Sequence, residues 1–313
     1  MNKSRLVILF GTVTVLLCSC ARFTNLAPDL EKVFEAPEGE IITSYGWSYD
    51  STRLAINTLL PNGAISTIFI LNLDTAMYEL IDTSSFDMQN TGTYQFDVWL
   101  PGSEIIALTS ANLKNRRFFD LESNSPVGLK DFPGQIAYSP DGQYIAFFNY
   151  FNQYPDSRLE IVITNLQNED SDHYIIASTE EYSPAASDLS WSADSLNLVF
   201  KVDIKEGDSR TDIYIIQTEM GIMTPITSSG YNDDPTWLSY DNILFLRASF
   251  IGMKQTLESH NIYTDCQVSI SISPDTGSIT VSPDGTQIAV LENWSIYIST
   301  TEKLIEYIDN KCK

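Results

Sequence analysis

Short hydrophobic runs, many of them alternating with polar residues, cover most of this chain, and clusters of Ser, Pro, Asp, Asn and Gly separate them. This pattern predicts β-strands joined by tight turns. Residues 138–147 show one such unit: a strand end, a Ser-Pro-Asp-Gly turn and a second strand that starts at Ile145. Pro140 suits the first turn position, Asp141 can bond its own backbone, and Gly142 tolerates the left-handed conformation that follows.

The same turn recurs along the chain, and the recurrence decides the predicted fold. Its first residue is a serine in five copies and a leucine in a degenerate sixth: Ser48, Leu100, Ser139, Ser192, Ser239 and Ser282. Four of the five tryptophans stand at or next to the position before the turn: Trp47, Trp99, Trp191 and Trp237. The copies lie roughly 40–50 residues apart, a period typical of repeat folds.

Further strand signals follow each turn. A small apolar run such as residues 145–147 comes first, then a β-branched strand such as residues 161–163, and then a short last strand, which in the sixth copy is residues 304–308. Four strands per unit, repeated six times, predict an all-β fold: a six-bladed β-propeller of four-stranded antiparallel blades over residues 41–313. The alternative is a β-sandwich built from six unrelated hairpins.

These units resemble TolB-type propeller repeats, a WD-like family with the pattern W-S-P-D-G-x-x-I-A-F followed by I-Y-V-x-D. The resemblance extends over residues 41–308. Residues 139–147 and 282–290 match closely, whereas the unit at Leu100 departs from the pattern. The resemblance implies a protein-interaction platform in the cell envelope. We therefore expect a module that binds a protein or ligand there without catalysing a reaction.

Residues 1–19 are predicted to form a bacterial lipoprotein signal peptide. Lys3 and Arg5 form a basic region, and residues 6–17 form an apolar core that is too short to span a bilayer. The sequence L-C-S-C that ends at Cys20 resembles a lipobox, which implies that Cys20 is diacylated and becomes the new N-terminus. Two acyl chains suffice for a stable anchor. The alternative is a plain secretory signal with an incidental cysteine.

Residues 20–40 are predicted to be the lipidated N-terminus and a tether. The implied location is extracytoplasmic, on the outer face of a bacterial cell membrane or on an outer membrane. Residues 32–35 are a candidate for an extra strand that pairs with the last blade and closes the ring. Residues 278–308 already supply four strand signals of their own, so the sequence leaves the mode of closure open.

The chain is strongly acidic, with a formal net charge of −23. Loss of the signal peptide removes two basic residues and no acidic one, which makes the charge more negative still. Nucleic-acid binding requires basic patches, so nucleic acids are excluded as partners. The expected partners are the membrane, through the lipid anchor, and an unknown envelope protein or glycan. Acidic blade edges also resist edge-to-edge pairing.

Two cysteines, Cys266 and Cys312, remain outside the signal peptide. Export permits a disulfide between them. However, Cys266 falls between the third and fourth predicted strands of blade five, and Cys312 follows the fourth predicted strand of blade six. These positions lie at opposite ends of a blade, so the sequence leaves both the bridged and the free state open.

Strand order places the Ser-Pro-Asp-Gly turns on one face of the disc and the longer connections between second and third strands on the other. The connection in blade three is the candidate binding loop, because four aromatic side chains stand among amides there: Phe148, Tyr150, Phe151 and Tyr154. Aromatic residues with polar neighbours suit contacts to proteins or sugars. The alternative is that these rings pack against an adjacent loop.

No catalytic or cofactor-binding motif is present, and no cofactor or metal is expected. His173 and His260 are predicted to be exposed loop residues without metal-ligand spacing, and Asp233 and Asp234 lack the spacing of an EF-hand. The alternative function is a glycan-active or hydrolase-associated propeller that uses carboxylates in the central funnel. Carboxylates that converge there beside an aromatic platform would favour that enzyme.

Overall fold

The computed structural model describes residues 30–61, 66–81, 94–110, 116–151, 158–178, 185–204, 210–248 and 255–313. Within these ranges the chain forms 24 β-strands and one α-helix. The first twelve strands are β1 (Glu31–Glu35), β2 (Ile41–Trp47), β3 (Arg53–Leu59), β4 (Ser66–Asn72), β5 (Met77–Leu80), β6 (Tyr94–Trp99), β7 (Ile105–Ser110), β8 (Arg116–Asp120), β9 (Ser125–Val127), β10 (Ile136–Tyr138), β11 (Tyr144–Phe151) and β12 (Arg158–Asn165).

The second half continues the same rhythm of short strands and turns. Its elements are β13 (Ser171–Ser178), β14 (Ala185–Trp191), β15 (Asn197–Ile204), β16 (Arg210–Gln217), β17 (Ile222–Pro225), β18 (Tyr231–Trp237), β19 (Asn242–Ala248), β20 (Gln255–Asn261), β21 (Gln267–Ser271), β22 (Thr276–Val281), β23 (Gln287–Glu292), β24 (Ser295–Thr300) and α1 (Glu302–Cys312). The helix is too short and too polar to cross a membrane, and the described residues contain no other.

The strands pair into six four-stranded antiparallel units. Strands β2–β5, β6–β9 and β10–β13 each pair in chain order. The eight strands β14–β21 form two further units, which a single parallel pair between Thr211 and Tyr231 joins into one sheet. The sixth unit combines β22, β23 and β24 with β1 from the other end of the chain.

Pairing of β1 with β24 answers the question of closure. Glu31 lies opposite Ile298 and Glu35 opposite Ser295, and Phe34 is buried between this unit and the first one. The propeller therefore begins within the segment that we predicted to be a tether, and not at residue 41. The N-terminal strand supplies the outermost position of the last blade.

The prediction of a last strand at residues 304–308 is wrong. These residues lie in α1, where Leu304 and Ile308 are buried against Val268 and Ile270 of the fifth unit. The spacing of four between the two buried residues suits one face of a helix. Because β1 already occupies the fourth strand position, the C-terminal segment is free to fold back over the ring.

The hydrophobic core is divided into six clusters, each of which lies between neighbouring units. In one of them Phe148 and Ile163 of the third unit pack against Trp191 and Phe200 of the fourth. The cluster between the sixth and first units brings Ile298 against Leu54. Each unit thus buries both of its faces, and the last one packs on the first. This arrangement is an all-β propeller, as predicted.

The repeated turns share one hydrogen-bond pattern. Ser139 Oγ donates to Asp141 Oδ1 at 2.6 Å and accepts the backbone N–H of Tyr144 at 2.9 Å. Gly142 has a φ of 69°, in the left-handed region. We call the side of the disc that carries these turns the turn face. The opposite side, where second strands lead to third strands and units are linked, is the loop face.

Candidate functional site in the central channel

A cavity of about 530 Å³ lies on the axis of the ring at the turn face, and residues from all six units line it. The repeat tryptophans form much of its wall. Trp191 Nε1 donates to Ala137 O at 3.1 Å, and Trp237 Nε1 donates to Ser190 O at 3.0 Å. Each of these bonds reaches back to the preceding unit, so these two tryptophans hold neighbouring blades together.

A second cavity, of about 550 Å³, lies on the same axis toward the loop face. It shares Asp97 and Gln135 with the first cavity, so the two are adjacent along one channel. We call this cavity the channel mouth. Six residues of its wall define it: Tyr45, Asp97, Gln135, Tyr150, Asp188 and Asp234. Its lining combines carboxylates with phenol groups.

Irregularities in the innermost strands place these side chains in the channel. The pairing of β2, β6, β14, β18 and β22 with the next strand shifts register part-way along. Asp188 and Asp234 lie within two of these shifts, three residues before the repeat tryptophan, and their φ values are 61° and 56°. Aspartate tolerates this left-handed conformation better than most residues. A bulge of this kind redirects a side chain, and such bulges are common beside functional sites.

Lys201 joins Asp188 of the channel mouth to the neighbouring Asp233. Its Nζ lies 2.9 Å from Asp188 Oδ2 and 2.6 Å from Asp233 Oδ1. Burial alone would lower the pKa of this ammonium group, but the charges of Asp188 and Asp233 outweigh burial and raise it. Lys201 is therefore a fixed positive charge between Asp188 and Asp233.

Asp234 has a different environment. Its Oδ2 accepts the backbone N–H of Ile279, and no cation pairs with it among the ion pairs of the described residues. Burial raises the pKa of Asp234 to about 7, and the nearby charge of Asp188 acts in the same direction. Asp234 therefore exchanges its proton near neutral pH.

Asp97 belongs to a buried ion-pair group at the opposite side of the mouth. Arg116 Nε lies 2.7 Å from Asp97 Oδ2, and its Nη1 donates to Asp131 Oδ1 and to the carbonyl of Phe132. Burial raises the pKa of Asp97 although Arg116 opposes this shift. Arg116 fixes the link between the second and third units and therefore has a structural role.

Thr109 adds an unpaired polar atom to the same wall. The residue is buried, it lines the channel mouth, and its Oγ1 has no hydrogen-bond partner in the described part of the chain. A buried hydroxyl without a partner costs roughly 1–3 kcal/mol. Acidic groups exceed basic ones around the cavity, so its chemistry suits a ligand that carries a positive charge and hydrogen-bonding groups.

No protein-family model matches the chain, and no curated protein matches it. Solved structures do match. A TolB-like protein of Agrobacterium tumefaciens has a TM-score of 0.54 at 15% identity, over 86% of this chain and 92% of its own. TolB from Acinetobacter baumannii gives 0.52 at 16%, over 85% of this chain; the match spans only 64% of that TolB. The fold is that of a TolB-like β-propeller.

An enzyme has the same fold. The oligogalacturonate lyase of Vibrio parahaemolyticus has a TM-score of 0.50 at 8% identity, over 87% of this chain and 93% of its own. At these identities the likeness concerns the propeller architecture alone. The function of this propeller has to be argued from its own channel.

The four aromatic residues of the predicted binding loop do not lie together on a free surface. Phe148 is only 1% exposed and packs edge-to-face on Phe200 at 6.1 Å, so its assignment to a binding loop is wrong. Tyr150 is 50% exposed at the channel mouth, and its hydroxyl lies 3.5 Å from Ala186 N. Phe151 ends β11, and Tyr154 lies outside the described residues.

The remaining predicted positions have mixed outcomes. The structure joins Cys266 to Cys312 by a disulfide, because α1 carries Cys312 back across the turn face to the fifth unit. Cys20 lies outside the described residues. His173 is exposed, as predicted, but it lies in β13 and not in a loop, 3.0 Å from Glu160. His260 is buried in β20, where burial lowers its pKa, so the prediction of an exposed loop residue is wrong there.

The sequence analysis did not predict that Asp188 and Asp234 lie in the same cavity. The available signal was their position three residues before the repeat tryptophan, where polar residues recur in other copies as Ser44, Gln135 and Ser278. Within the described residues no group of three or more His, Cys, Asp or Glu side chains has the geometry of a metal site.

Proposed function

We propose that this protein is an exported, lipid-anchored propeller that binds an envelope protein or ligand at its channel mouth without transforming it. Diacylated Cys20 anchors the chain to a bacterial membrane. The observation that carries the proposal is the arrangement of Asp188, Asp234 and Tyr150 around one cavity on the loop face. A rigid ring that presents such a concave polar site is a usual design for recognition.

The charge of the channel mouth indicates which chemical group of a ligand it binds. Among the ion pairs of the described residues, Lys201 is the basic partner of Asp188 and Asp233, and Asp234 has no basic partner. A protonated amine or guanidinium of the ligand would find Asp234 free to ionise. Because a nearby cation lowers the pKa of a carboxyl group, binding near pH 7 would release a proton from Asp234.

The first test uses a lysine-rich peptide as probe, with the same peptide fully acetylated as its neutral control. Calorimetry at pH 7 in two buffers of different ionisation enthalpy should show binding of the charged peptide with proton release. Asp234→Asn should remove the proton release, and Asp275→Asn, at an exposed position, should leave it unchanged. Equal binding of the acetylated peptide would contradict the cationic site.

The natural partner would then be sought by differential capture. Wild-type protein and the Asp188→Asn/Asp234→Asn double variant would be used in parallel on solubilised envelope, followed by mass spectrometry. A specific partner should be retained by wild-type protein and by Asp275→Asn, and lost with the double variant. Partners common to all three proteins would argue against the channel mouth.

A glycan-active enzyme is the second candidate, and one observation favours it. Asp234, with a pKa of about 7, suits a general acid, and Asp188 lies beside Lys201 in the same cavity. A carboxyl group whose pKa is raised toward neutrality, with a second carboxyl group nearby, is typical of acid–base catalysis. Turnover of any polysaccharide in a panel, abolished by Asp234→Asn and by Asp188→Asn, would establish this function in place of simple binding.

A further inference from the structure

The direction of β1 decides where the chain enters the propeller. Glu31 lies opposite Ile298, near the end of β24, whereas Glu35 lies opposite Ser295, at its beginning. Beyond Glu35, the backbone N–H of Ala36 donates to Trp294 O at 3.0 Å, in the connection between β23 and β24. That connection belongs to the loop face, so β1 runs from the turn face to the loop face.

Contacts of the neighbouring residues agree with this direction. Thr301, which follows β24, donates its N–H to Thr286 O at 3.0 Å and its hydroxyl to Gly285 O at 2.6 Å. Gly285 belongs to the repeated turn of the sixth unit. Leu30 packs against the cluster that holds Leu304 and Ile308 of α1. The chain that precedes β1 therefore emerges beside α1 on the turn face.

The length of chain between the anchor and the ring limits the possible orientations. Ten residues separate Cys20 from Glu31, and an extended chain of that length spans at most roughly 35 Å. A blade with strands of about six residues is ~20 Å high. To bring the loop face to the membrane, the tether would have to extend across the full height of the disc, which costs conformational entropy.

From this geometry we infer that the turn face points toward the membrane and the channel mouth points away from it. The inference rests on the proposed lipidation of Cys20. The carboxylates of the repeated turns, among them Asp141 and Asp284, oppose tight contact with an anionic bilayer, so the disc stands off the surface. The channel mouth is then open to partners that approach from the side away from the membrane.

Energy transfer from single dyes to the bilayer tests this orientation. In the mature protein Cys18 is removed with the signal peptide, Cys20 is acylated, and Cys266 is bonded to Cys312. One introduced cysteine therefore accepts a maleimide dye without competition. Met220→Cys places it on the turn face, between β16 and β17, where Met220 is 61% exposed. Leu129→Cys places it on the loop face, between β9 and β10, where Leu129 is 45% exposed.

Lipidated protein, purified from membranes, would be reconstituted into vesicles of neutral phospholipid that contain an acceptor-labelled lipid. Transfer from position 220 should be about twofold more efficient than transfer from position 129, for a height difference of ~20 Å. Equal or reversed efficiencies in protein that floats with the vesicles would overturn the orientation alone. The control Cys20→Ser lacks the acylated residue and should not float with the vesicles. If the wild-type chain also failed to float, the lipid anchor and the orientation would both be overturned.

Discussion

Asp234 shows how a local backbone irregularity creates a chemical group of unusual properties. Its bulged position turns the carboxyl group into the channel, away from bulk water and close to Asp188. Lys201 is within 2.9 Å of Asp188 and neutralises that partner, but it makes no ion pair with Asp234. The raised pKa of Asp234 therefore comes from its burial and its neighbours, and not from its residue type.

Asp234 should also make the free energy of unfolding depend on pH, and the direction of this dependence follows from its pKa. Its pKa of about 7 in the folded protein exceeds the unfolded value near 3.8, so the folded state binds the proton more tightly. The contribution of Asp234 to the unfolding free energy should therefore fall as pH rises from about 4 to about 7, by roughly 2–4 kcal/mol. Asp234→Asn should lose this dependence and be more stable than wild type at pH 8. Denaturant titrations across this range measure it; parallel curves for both proteins would refute the pKa shift.

The turn serines are a second example at this scale, because the serine is buried in four copies, at Ser48, Ser139, Ser192 and Ser282. Ser139→Ala removes the bonds to Asp141 and to the N–H of Tyr144 and should cost about 1–3 kcal/mol of unfolding free energy. Ser123→Ala is the matched control: Ser123 Oγ also donates to an aspartate, at 2.9 Å, but it is exposed. Equal losses from the two substitutions would contradict the role assigned to burial.

At the scale of elements, the two chain ends decide how the ring closes, which the sequence left open. The N-terminal strand β1 completes the sixth unit, and the C-terminal segment forms α1. Residues 304–308 contain apolar positions compatible with either a strand or a helix, and short apolar runs are ambiguous in this way. Occupation of the outermost strand position by β1 resolved the ambiguity.

The disulfide is expected to hold α1 on the fifth unit. It closes a loop with a sequence separation of 46 residues. Cys266→Ser/Cys312→Ser should lower the unfolding free energy by ~4 kcal/mol on the chain-entropy account. Urea titrations with and without reductant provide the control, since reductant should destabilise wild-type protein but leave the double variant unchanged. Sensitivity of the double variant to reductant would point to a different cause.

At the scale of the whole molecule, closure of the ring decides which aromatic side chains of β11 are buried between blades and which remain accessible to a ligand. Phe148 is buried between the third and fourth units, whereas Tyr150, two residues later, is 50% exposed at the channel mouth. Alternation along a strand places successive side chains on opposite faces of a sheet. In a blade both faces are buried, so exposure depends on the distance along the strand to the loop face.

Substitutions of Phe148 and Tyr150 test whether the first side chain serves packing and the second serves binding. Phe148→Ala should cost about 3–5 kcal/mol of unfolding free energy because it leaves a cavity between two blades. Tyr150→Ser, alone or with Phe151→Ser and Tyr154→Ser, should leave the melting temperature nearly unchanged and should weaken binding of the lysine-rich probe. A large loss of stability from Tyr150→Ser would mean that this ring serves packing.

The sequence by itself determined the repeating unit, the all-β propeller and the turn face. These features depend on local chemistry: turn residues, alternating apolar positions and a tryptophan at one repeat position act within a few residues of each other. The tertiary structure decided ring closure by β1, the helix at the C-terminus, the pairing of Cys266 with Cys312 and the convergence of Asp188 with Asp234. Each of these joins residues that are far apart along the chain, and such contacts form only when six units close into a ring.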